Sequence, residues 1–331
     1  MFLKGGDGFP ESSLSFPAGM WRVSGAGLRR LRAQTGPMDR RAFLLGALVL
    51  VGCAQAHPPG PTPASTPTSP APAGTPAATG SSLVIGGDQT ASGLMLTALL
   101  AGGESATTVG LGTDWRARLA DGTTSAAPLY AGTAWADLSQ SDEPSDDVVG
   151  DLAGLVQPDV SIMTAGRLDG ALAWMAPATA SLNSLDQLHK HASGATVAVP
   201  SLAVERADGL PGLGVIYSAK LSHLVEDDPV ARAALVTSGK AAFGAFRRTE
   251  YLGTDRFREL DDPSGMVTSD PVVLAVDSAF VDADPNAVLA LNAVLQALTD
   301  ADLVDLQRQV AVGGAAADVA RTWLVAKGLV K

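Results

Sequence analysis

The chain has 331 residues, of which 23 are basic and 34 are acidic, so its formal net charge is −11. Seven of the basic and three of the acidic residues lie within 1–53, which leaves a net charge of −15 for the rest of the chain. This balance argues against nucleic acid and anionic lipid as direct partners, because both are bound by basic surfaces. The chain has one cysteine, Cys53, so an internal disulfide bond is excluded.

The region before Cys53 has the pattern of an export signal. A basic segment at 39–41 precedes an apolar segment at 42–52, which is too short for a membrane span of about 20 apolar residues. We therefore predict a signal peptide over 38–52, with Met38 as the start and residues 1–37 as an upstream extension. The arginine pair is also compatible with twin-arginine export, so that route and Sec export both stay open.

The end of this signal, Leu50-Val51-Gly52-Cys53, resembles the lipobox of bacterial lipoproteins. In that family the cysteine is acylated and becomes the new N-terminus, so the resemblance implies that Cys53 anchors the protein to the outer face of the cell membrane. The alternative is a buried structural cysteine. Residues 53–81 are rich in Pro, Thr, Ser and Ala, which cannot bury a core and which predict an extended linker.

Residues 82–331 alternate short apolar runs with helical patterns. Buried strands are predicted at 83–85, 196–199 and 272–276. Helical patterns cover 94–100, 303–310 and 318–327. Alternating buried strands and helices predict an α/β fold.

Two helix starts are predicted from local signals. Ser184 followed by Gln187 has the spacing of a capping box. Asp284-Pro285 combines an N-cap with proline at the first helical position. Apolar residues then recur at helical spacing, at Val288, Leu291, Leu295 and Leu298.

The stretches LADGTTSAAPLYAGT (119–133) and LVTSGKAAFGAFRRT (235–249) echo each other. Each reads as a helix end, a glycine stop, a short apolar strand and then an aromatic residue, Tyr130 or Phe246. Ligands in open α/β sheets bind beyond the carboxyl ends of strands. Two such units therefore predict that Tyr130 and Phe246 face a shared cleft.

Four segments resemble the osmoprotectant substrate-binding proteins of ABC importers, which bind glycine betaine, choline or related quaternary amines. They are LYAGTAW (129–135), ERADGLPGL (205–213), SGKAAFGAF (238–246) and ARTWLVAKGLV (320–330). The resemblance runs from about Leu83 to the end of the chain, and DGLPGL is its most specific part. It implies a two-lobed type II periplasmic-binding-protein fold with a ligand cleft between α/β lobes. Lobe I is then predicted at 82–170 and 248–331, and lobe II at 171–247.

The resemblance also implies site residues. In this family aromatic side chains surround the methylated ammonium, because its charge attracts aromatic faces and cannot form hydrogen bonds. By position, Tyr130 falls on a cage tyrosine, Thr133 on a hydroxyl three residues later, and Phe246 where a tyrosine is usual. Arg206 falls on the basic residue that holds a ligand carboxylate.

The chain departs from the family pattern at several positions. After the first strand Asp88 replaces a lysine, and Asp88 and Gln89 are candidate ligand contacts. Gly170 or Ala171 stands where a cage tyrosine is expected, and another is missing near Val267. Losing two cation–π contacts of about 0.5 to 2 kcal/mol each weakens binding by roughly 5-fold to 1000-fold. Asp88 favours a cation without a carboxylate, such as choline.

Each candidate also has a purely structural interpretation. Tyr130 and Phe246 are also compatible with the core, Arg206 with the surface, and Asp88 with a helix cap. His189 and His191 lie two apart near a helix end, and no ligand cluster accompanies them, so we expect no metal.

We therefore predict a lipid-anchored solute-binding protein of an ABC importer, acting as a monomer with permease subunits as partners. No nucleophile motif is present, so we expect neither an enzyme nor a cofactor. The alternative is a binding-fold lipoprotein with a changed ligand, or with a sensor or envelope-interaction role.

Overall fold

The computed structural model of the protein describes residues 82–141, 145–191 and 193–331. The predicted extension, signal peptide, Cys53 anchor and linker lie outside these residues.

The first lobe is built on a five-stranded mixed sheet of order β2-β1-β3-β10-β4. Its strands are β1 (Leu83–Gly87), β2 (Ala106–Gly110), β3 (Ala126–Tyr130), β4 (Val160–Ile162) and β10 (Val272–Asp277). The helices of this lobe are α1 (Ala91–Gly103), α2 (Trp115–Ala120), α3 (Ala131–Ser139), α4 (Val148–Val156), α8 (Ser278–Ala283), α9 (Pro285–Ala297), α10 (Asp300–Ala311) and α11 (Ala316–Ala326). β10 runs antiparallel to β3 and β4, so it starts where β3 ends.

The second lobe is built on another five-stranded mixed sheet, of order β7-β6-β8-β5-β9. Its strands are β5 (Leu172–Pro177), β6 (Thr196–Val199), β7 (Ser222–Val225), β8 (Phe243–Arg247) and β9 (Phe257–Glu259). Its helices are α5 (Leu188–His191), α6 (Leu210–Ile216) and α7 (Pro229–Thr237), with single 3-10 turns at Leu185–Gln187 and Ser201–Ala203. The two mixed sheets with their helices confirm the predicted α/β class and two-lobed architecture.

The predicted strands and helices are present, with bounds that differ by a few residues. The α9 start is confirmed, since the Asp284 carboxylate accepts a hydrogen bond from Ala287 N at 3.0 Å and its apolar face is buried. The capping box predicted at Ser184 is wrong. Ser184 precedes the helical turn, but its side chain makes no capping hydrogen bond. The Ser184 hydroxyl donates to Asp261 O at 3.2 Å, and Gln187 Oε1 accepts from Asn183 N.

The chain passes between the lobes twice, at 163–171 and at 260–271. The two segments lie side by side, joined by an antiparallel bridge between Asp169 and Pro271. Gly170 N donates to Asp270 O at 2.9 Å, and Asp270 N donates to Asp169 Oδ1 at 2.8 Å. The predicted boundary between 247 and 248 falls between β8 and β9, which both belong to the second sheet.

Within the described residues no single helix is long and apolar enough to cross a membrane. α9 and α10 meet the length and composition criteria only as a pair, with a bend of 93° between them.

Candidate ligand-binding site

Tyr130 is the last residue of β3 and lies directly before α3. Its ring is buried. Its hydroxyl contacts Thr249 Oγ1 at 2.9 Å and donates to Ser92 Oγ at 3.2 Å. Burial raises the pKa of Tyr130 above its ordinary value, so the hydroxyl stays protonated. The Thr249 contact links the end of the first sheet to the chain that follows β8.

A guanidinium group covers the face of the Tyr130 ring. Arg247 is the last residue of β8, and its Cζ lies 4.0 Å from the ring centroid. Its Nη1 donates to Gly170 O at 2.7 Å and to Asp270 Oδ2 at 2.8 Å, and its Nη2 donates to Thr133 Oγ1 at 2.7 Å. Only 6% of Arg247 is exposed, so the cation is held almost entirely by protein groups.

The carboxylate of Asp270 is fully buried against the start of α3. Its Oδ1 accepts from Gly132 N at 2.7 Å and from Thr133 N at 3.2 Å. Its Oδ2 accepts from the Thr133 hydroxyl at 2.7 Å. Burial alone would raise the pKa of Asp270, but the charge and hydrogen bond of Arg247 outweigh it and hold this pKa below its ordinary value.

Arg206 lies on the outer side of the same group. Its Nε and Nη2 donate to Asp208 at 2.8 and 2.9 Å, and its Nη1 donates to Thr133 Oγ1 at 3.0 Å. It also lies 3.5 Å from Asp270 Oδ2. Desolvation alone would lower the pKa of Arg206, but its hydrogen bonds and ion pair with Asp208 outweigh it and raise this pKa. The structure thus brings Tyr130, Thr133 and Arg206 together, three residues to which the family resemblance gives a role in ligand binding.

Phe246 does not join this group, and the prediction that Tyr130 and Phe246 face a shared cleft is wrong. Its ring is fully buried in a separate cluster on the other face of the second sheet. Phe257 lies 5.7 Å away between ring centroids, and the Arg232 guanidinium lies 4.8 Å from the Phe246 ring. Because side chains alternate along a strand, the next residue, Arg247, points toward Tyr130 instead.

Asp88 and Gln89 lie in the turn between β1 and α1. Asp88 Oδ1 accepts from Thr90 N at 3.1 Å, while the N-cap of α1 is Thr90, whose hydroxyl accepts from Gly93 N. Asp88 therefore does not cap the helix. Its charge raises the pKa of Tyr130, though less than burial does. Gln89 Nε2 donates to Gly87 O at 3.4 Å.

Three further aromatic side chains, those of Trp135, Trp174 and Tyr217, pack elsewhere. Trp174 is buried in the second-lobe core beside Phe243, with ring centroids 6.0 Å apart. Tyr217 lies in the same core and donates a short hydrogen bond to Asp262. Trp135 packs against the core between α3 and α4. These three residues belong to hydrophobic clusters other than that of Tyr130. Tyr130 is therefore the one of these four aromatic residues that belongs to the group around Arg247 and Asp270.

Arg247 and Asp270 are not among the site residues predicted from the sequence. A usable signal exists for the first, since Gly122 and Gly239 both end helices with positive φ, at 74° and 77°. Counting eight residues from Gly122 reaches Tyr130, and the same count from Gly239 reaches Arg247 rather than Phe246. Aligning the two echoing segments on these glycines would have paired the correct residues.

The family described as "OpuAC: Substrate binding domain of ABC-type glycine betaine transport system" matches residues 85–326. The chain belongs to this family. It is a family of substrate-binding proteins, not of enzymes. No curated protein sequence matches the chain.

Solved structures of related binding proteins share the fold. A glycine betaine/carnitine/choline ABC transporter protein is 15% identical, with a TM-score of 0.64, over 75% of this chain and 99% of that one. Apo YehZ from Escherichia coli is 18% identical, with a TM-score of 0.59, over 75% of this chain and 99% of that one. Lactococcal OpuAC, in a closed conformation complexed with glycine betaine, is 15% identical, with a TM-score of 0.57, over 75% and 96%.

Proposed function

We propose that this protein is the lipid-anchored solute-binding component of an ABC importer, and that it captures a small quaternary ammonium or related osmoprotectant between its lobes. Acylated Cys53 would hold it at the outer face of the cell membrane, where membrane permease subunits would receive the ligand. The protein is proposed to act as a monomer.

One observation carries the proposal. The Arg247 guanidinium, a cation, lies 4.0 Å from the centroid of the Tyr130 ring, beside the fully buried carboxylate of Asp270. Tyr130 and Asp270 together form a position suited to a single positive charge. A methylated ammonium has no N–H group to donate, so an aromatic face and a nearby negative charge are the groups that attract it. Here the Arg247 side chain holds that position.

The acidic surroundings of Tyr130 bear on the ligand class. Asp270 lies directly beside the cation position, and Asp88 acts on Tyr130 from the first lobe. A ligand carboxylate placed here would be repelled by the negative charge of Asp270, which already accepts the hydrogen bonds of the amides at the start of α3. A cation without a carboxylate, such as choline, is therefore favoured over glycine betaine.

The occupancy of this position by Arg247 also supports a second candidate. A binding-fold lipoprotein with a changed ligand, or with a sensing or envelope-interaction role, has no need for an accessible aromatic face. In this case the Arg247–Asp270 pair would be a permanent structural element.

Calorimetric titration of the purified full chain separates the two. Choline, glycine betaine, carnitine and proline betaine would each be titrated, with circular dichroism to show that the protein is folded. Saturable binding of any of them, with choline tighter than glycine betaine, is the expected result. Absence of binding up to millimolar concentrations by a folded chain would favour the second candidate.

A further inference from the structure

We propose that Arg247 and Asp270 form a built-in surrogate of a zwitterionic ligand, which occupies the site and competes with the solute. This inference rests on the proposed location of the site at Tyr130 and Thr133. Arg247 takes the place of the ligand cation, and Asp270 takes the place of the ligand carboxylate.

The cationic half is the Arg247 guanidinium. It lies 4.0 Å from the Tyr130 ring centroid, well within the distance of about 6 Å at which a cation gains from an aromatic face. Its nitrogens are hydrogen-bonded to Gly170 O, Thr133 Oγ1 and Asp270 Oδ2. A solute cation placed on this face of the ring has to displace Arg247.

The anionic half is the Asp270 carboxylate. It accepts hydrogen bonds from the backbone amides of Gly132 and Thr133 and from the Thr133 hydroxyl. Its Oδ2 lies 3.5 Å from Arg206 Nη1. Amides at a helix start, a hydroxyl and an arginine are the donors that a free carboxylate would use. Asp270 thus uses the groups that would bind the acid end of a betaine.

The two halves also connect the lobes. Arg247 comes from β8 of the second sheet, and Thr133 comes from α3 of the first lobe. Asp270 lies in the segment that passes between the lobes, 2.8 Å from Arg247. The pair is electrically neutral as a unit, as a zwitterion is, so it makes interlobe contacts of the kind that a bound solute makes.

Space at the site is consistent with this role. A Cβ atom at Gly170 would lie 2.2 Å from Tyr130 Cε1 and 3.2 Å from Arg247 Nη1. Gly170 or Ala171 stands where the family resemblance expects a cage tyrosine, and neither residue has an aromatic ring. The absence of that tyrosine leaves room for the guanidinium.

Competition lowers the apparent affinity in proportion to the fraction of molecules in which the pair has left the site. If that fraction is about 1 to 10%, removing the competitor strengthens binding by about 10-fold to 100-fold. The test compares the wild type with Arg247→Ala and with the double variant Arg247→Ala/Asp270→Ala, using choline and glycine betaine as probes in calorimetry.

In Arg247→Ala we expect choline to bind at least 10-fold more tightly, because its cation can reach Tyr130 beside the retained Asp270. Glycine betaine should gain little there, since Asp270 still holds the α3 amides. In the double variant the preference should shift toward glycine betaine. Unchanged or weaker binding of choline by folded Arg247→Ala would overturn the proposal.

Arg232→Met is the matched control. Arg232 is also a buried arginine stacked on an aromatic ring, and it pairs with Glu250 at 2.7 Å, but it lies on the Phe246 side. We expect it to lose stability without any gain in choline affinity. An equal gain in both variants would attribute the effect to a loosened lobe and contradict the surrogate role.

Small-angle scattering keeps the proposal testable if Arg247→Ala does not fold. Wild-type protein should show the same radius of gyration with and without 10 mM choline, while Arg247→Lys, which lacks the planar fork, should be more extended without choline. A wild type that contracts on adding choline as much as Arg247→Lys does would overturn the proposal.

These outcomes separate the two proposals. Choline binding by the wild type with no gain in Arg247→Ala leaves the proposed function intact and removes the surrogate. No binding of either probe by the wild type or by any folded variant overturns both the proposed ligand class and the surrogate role.

Discussion

Gly170 lies against the ring of Tyr130, in a space that does not admit even a methyl group. A Cβ at position 170 would come within 2.2 Å of Cε1 and 2.3 Å of Cδ1 of that ring. Since Gly170 also accepts a hydrogen bond from Arg247 through its carbonyl, this glycine allows Tyr130 and Arg247 to stack.

We predict that Gly170→Ala destabilises the protein by about 1 to 3 kcal/mol, the usual cost of overpacking a filled interior. Urea unfolding followed by circular dichroism measures this. Gly154→Ala is the control, because Gly154 is an exposed residue of α4 with nothing within 4 Å of its added Cβ. There the helix should gain about 0.5 to 1 kcal/mol, and equal effects at both positions would contradict the packing argument.

The ring and the hydroxyl of Tyr130 should have separable roles. Tyr130→Phe keeps the aromatic face and loses the Ser92 and Thr249 contacts, so we expect a stability loss of about 1 kcal/mol and little change in ligand affinity. Tyr130→Ala removes the face as well, so binding of choline or a related cation should become undetectable. Retained affinity in Tyr130→Ala, measured by calorimetry, would show that the ligand binds elsewhere.

Phe246 should matter for stability alone. Phe246→Ala is expected to lower the free energy of unfolding by about 3 to 5 kcal/mol, as for other large buried aromatic residues, because its ring is fully buried between Arg232 and Phe257. Ligand affinity of the folded fraction should not change. A selective loss of affinity with little loss of stability would return Phe246 to the binding site.

Acid should weaken the fold through Asp270. Its pKa lies below the ordinary value of 3.8 because Arg247 outweighs the effect of burial. A carboxylate with a lowered pKa adds stability that is present above its unfolded pKa and is lost as the pH falls through the folded one. Each unit of lowering corresponds to about 1.4 kcal/mol.

The measurement is the free energy of unfolding between pH 6 and pH 2. The wild type should lose more stability below about pH 4, near the unfolded pKa of an aspartate, than Asp270→Asn does. Parallel curves for the two proteins would mean that the Asp270 carboxylate is not held in its charged form by Arg247.

Cys53 should determine membrane attachment. In cells that process lipoproteins, the wild type is expected in the detergent phase after Triton X-114 partitioning, and Cys53→Ser in the aqueous phase. Mass spectrometry of the N-terminal peptide would identify the acyl chains. A wild-type protein that stays in the aqueous phase with an unmodified Cys53 would exclude the anchor.

Elements with strong local signals could be predicted from the sequence. The start of α9 follows from Asp284-Pro285, since an aspartate cap and a proline at the first position act within one turn. The buried runs of β6 and β10 likewise read directly as strands. Ser184 shows the limit, because its hydroxyl found a partner 77 residues away in Asp261 O instead of its own helix.

The site could be predicted only in part. The family resemblance points to Tyr130, Thr133 and Arg206, which lie in one hydrogen-bonded group. Asp270 carries no local signal, because the amides that it binds belong to Gly132 and Thr133, which precede it in the chain by 138 and 137 positions. Arg247 was missed because a shift of one residue along a strand moves a side chain to the opposite face of the sheet.

The sequence by itself determined the α/β class, the positions of the main strands and helices, and the family, because these depend on local periodicity, caps and short motifs. Only the tertiary structure decided which side chain covers Tyr130. That choice depends on the register of β8 in its sheet and on the meeting of two lobes. The glycine alignment places Tyr130 and Arg247 at equivalent positions of the two segments, but the contact between them, 117 positions apart, forms only in the tertiary structure.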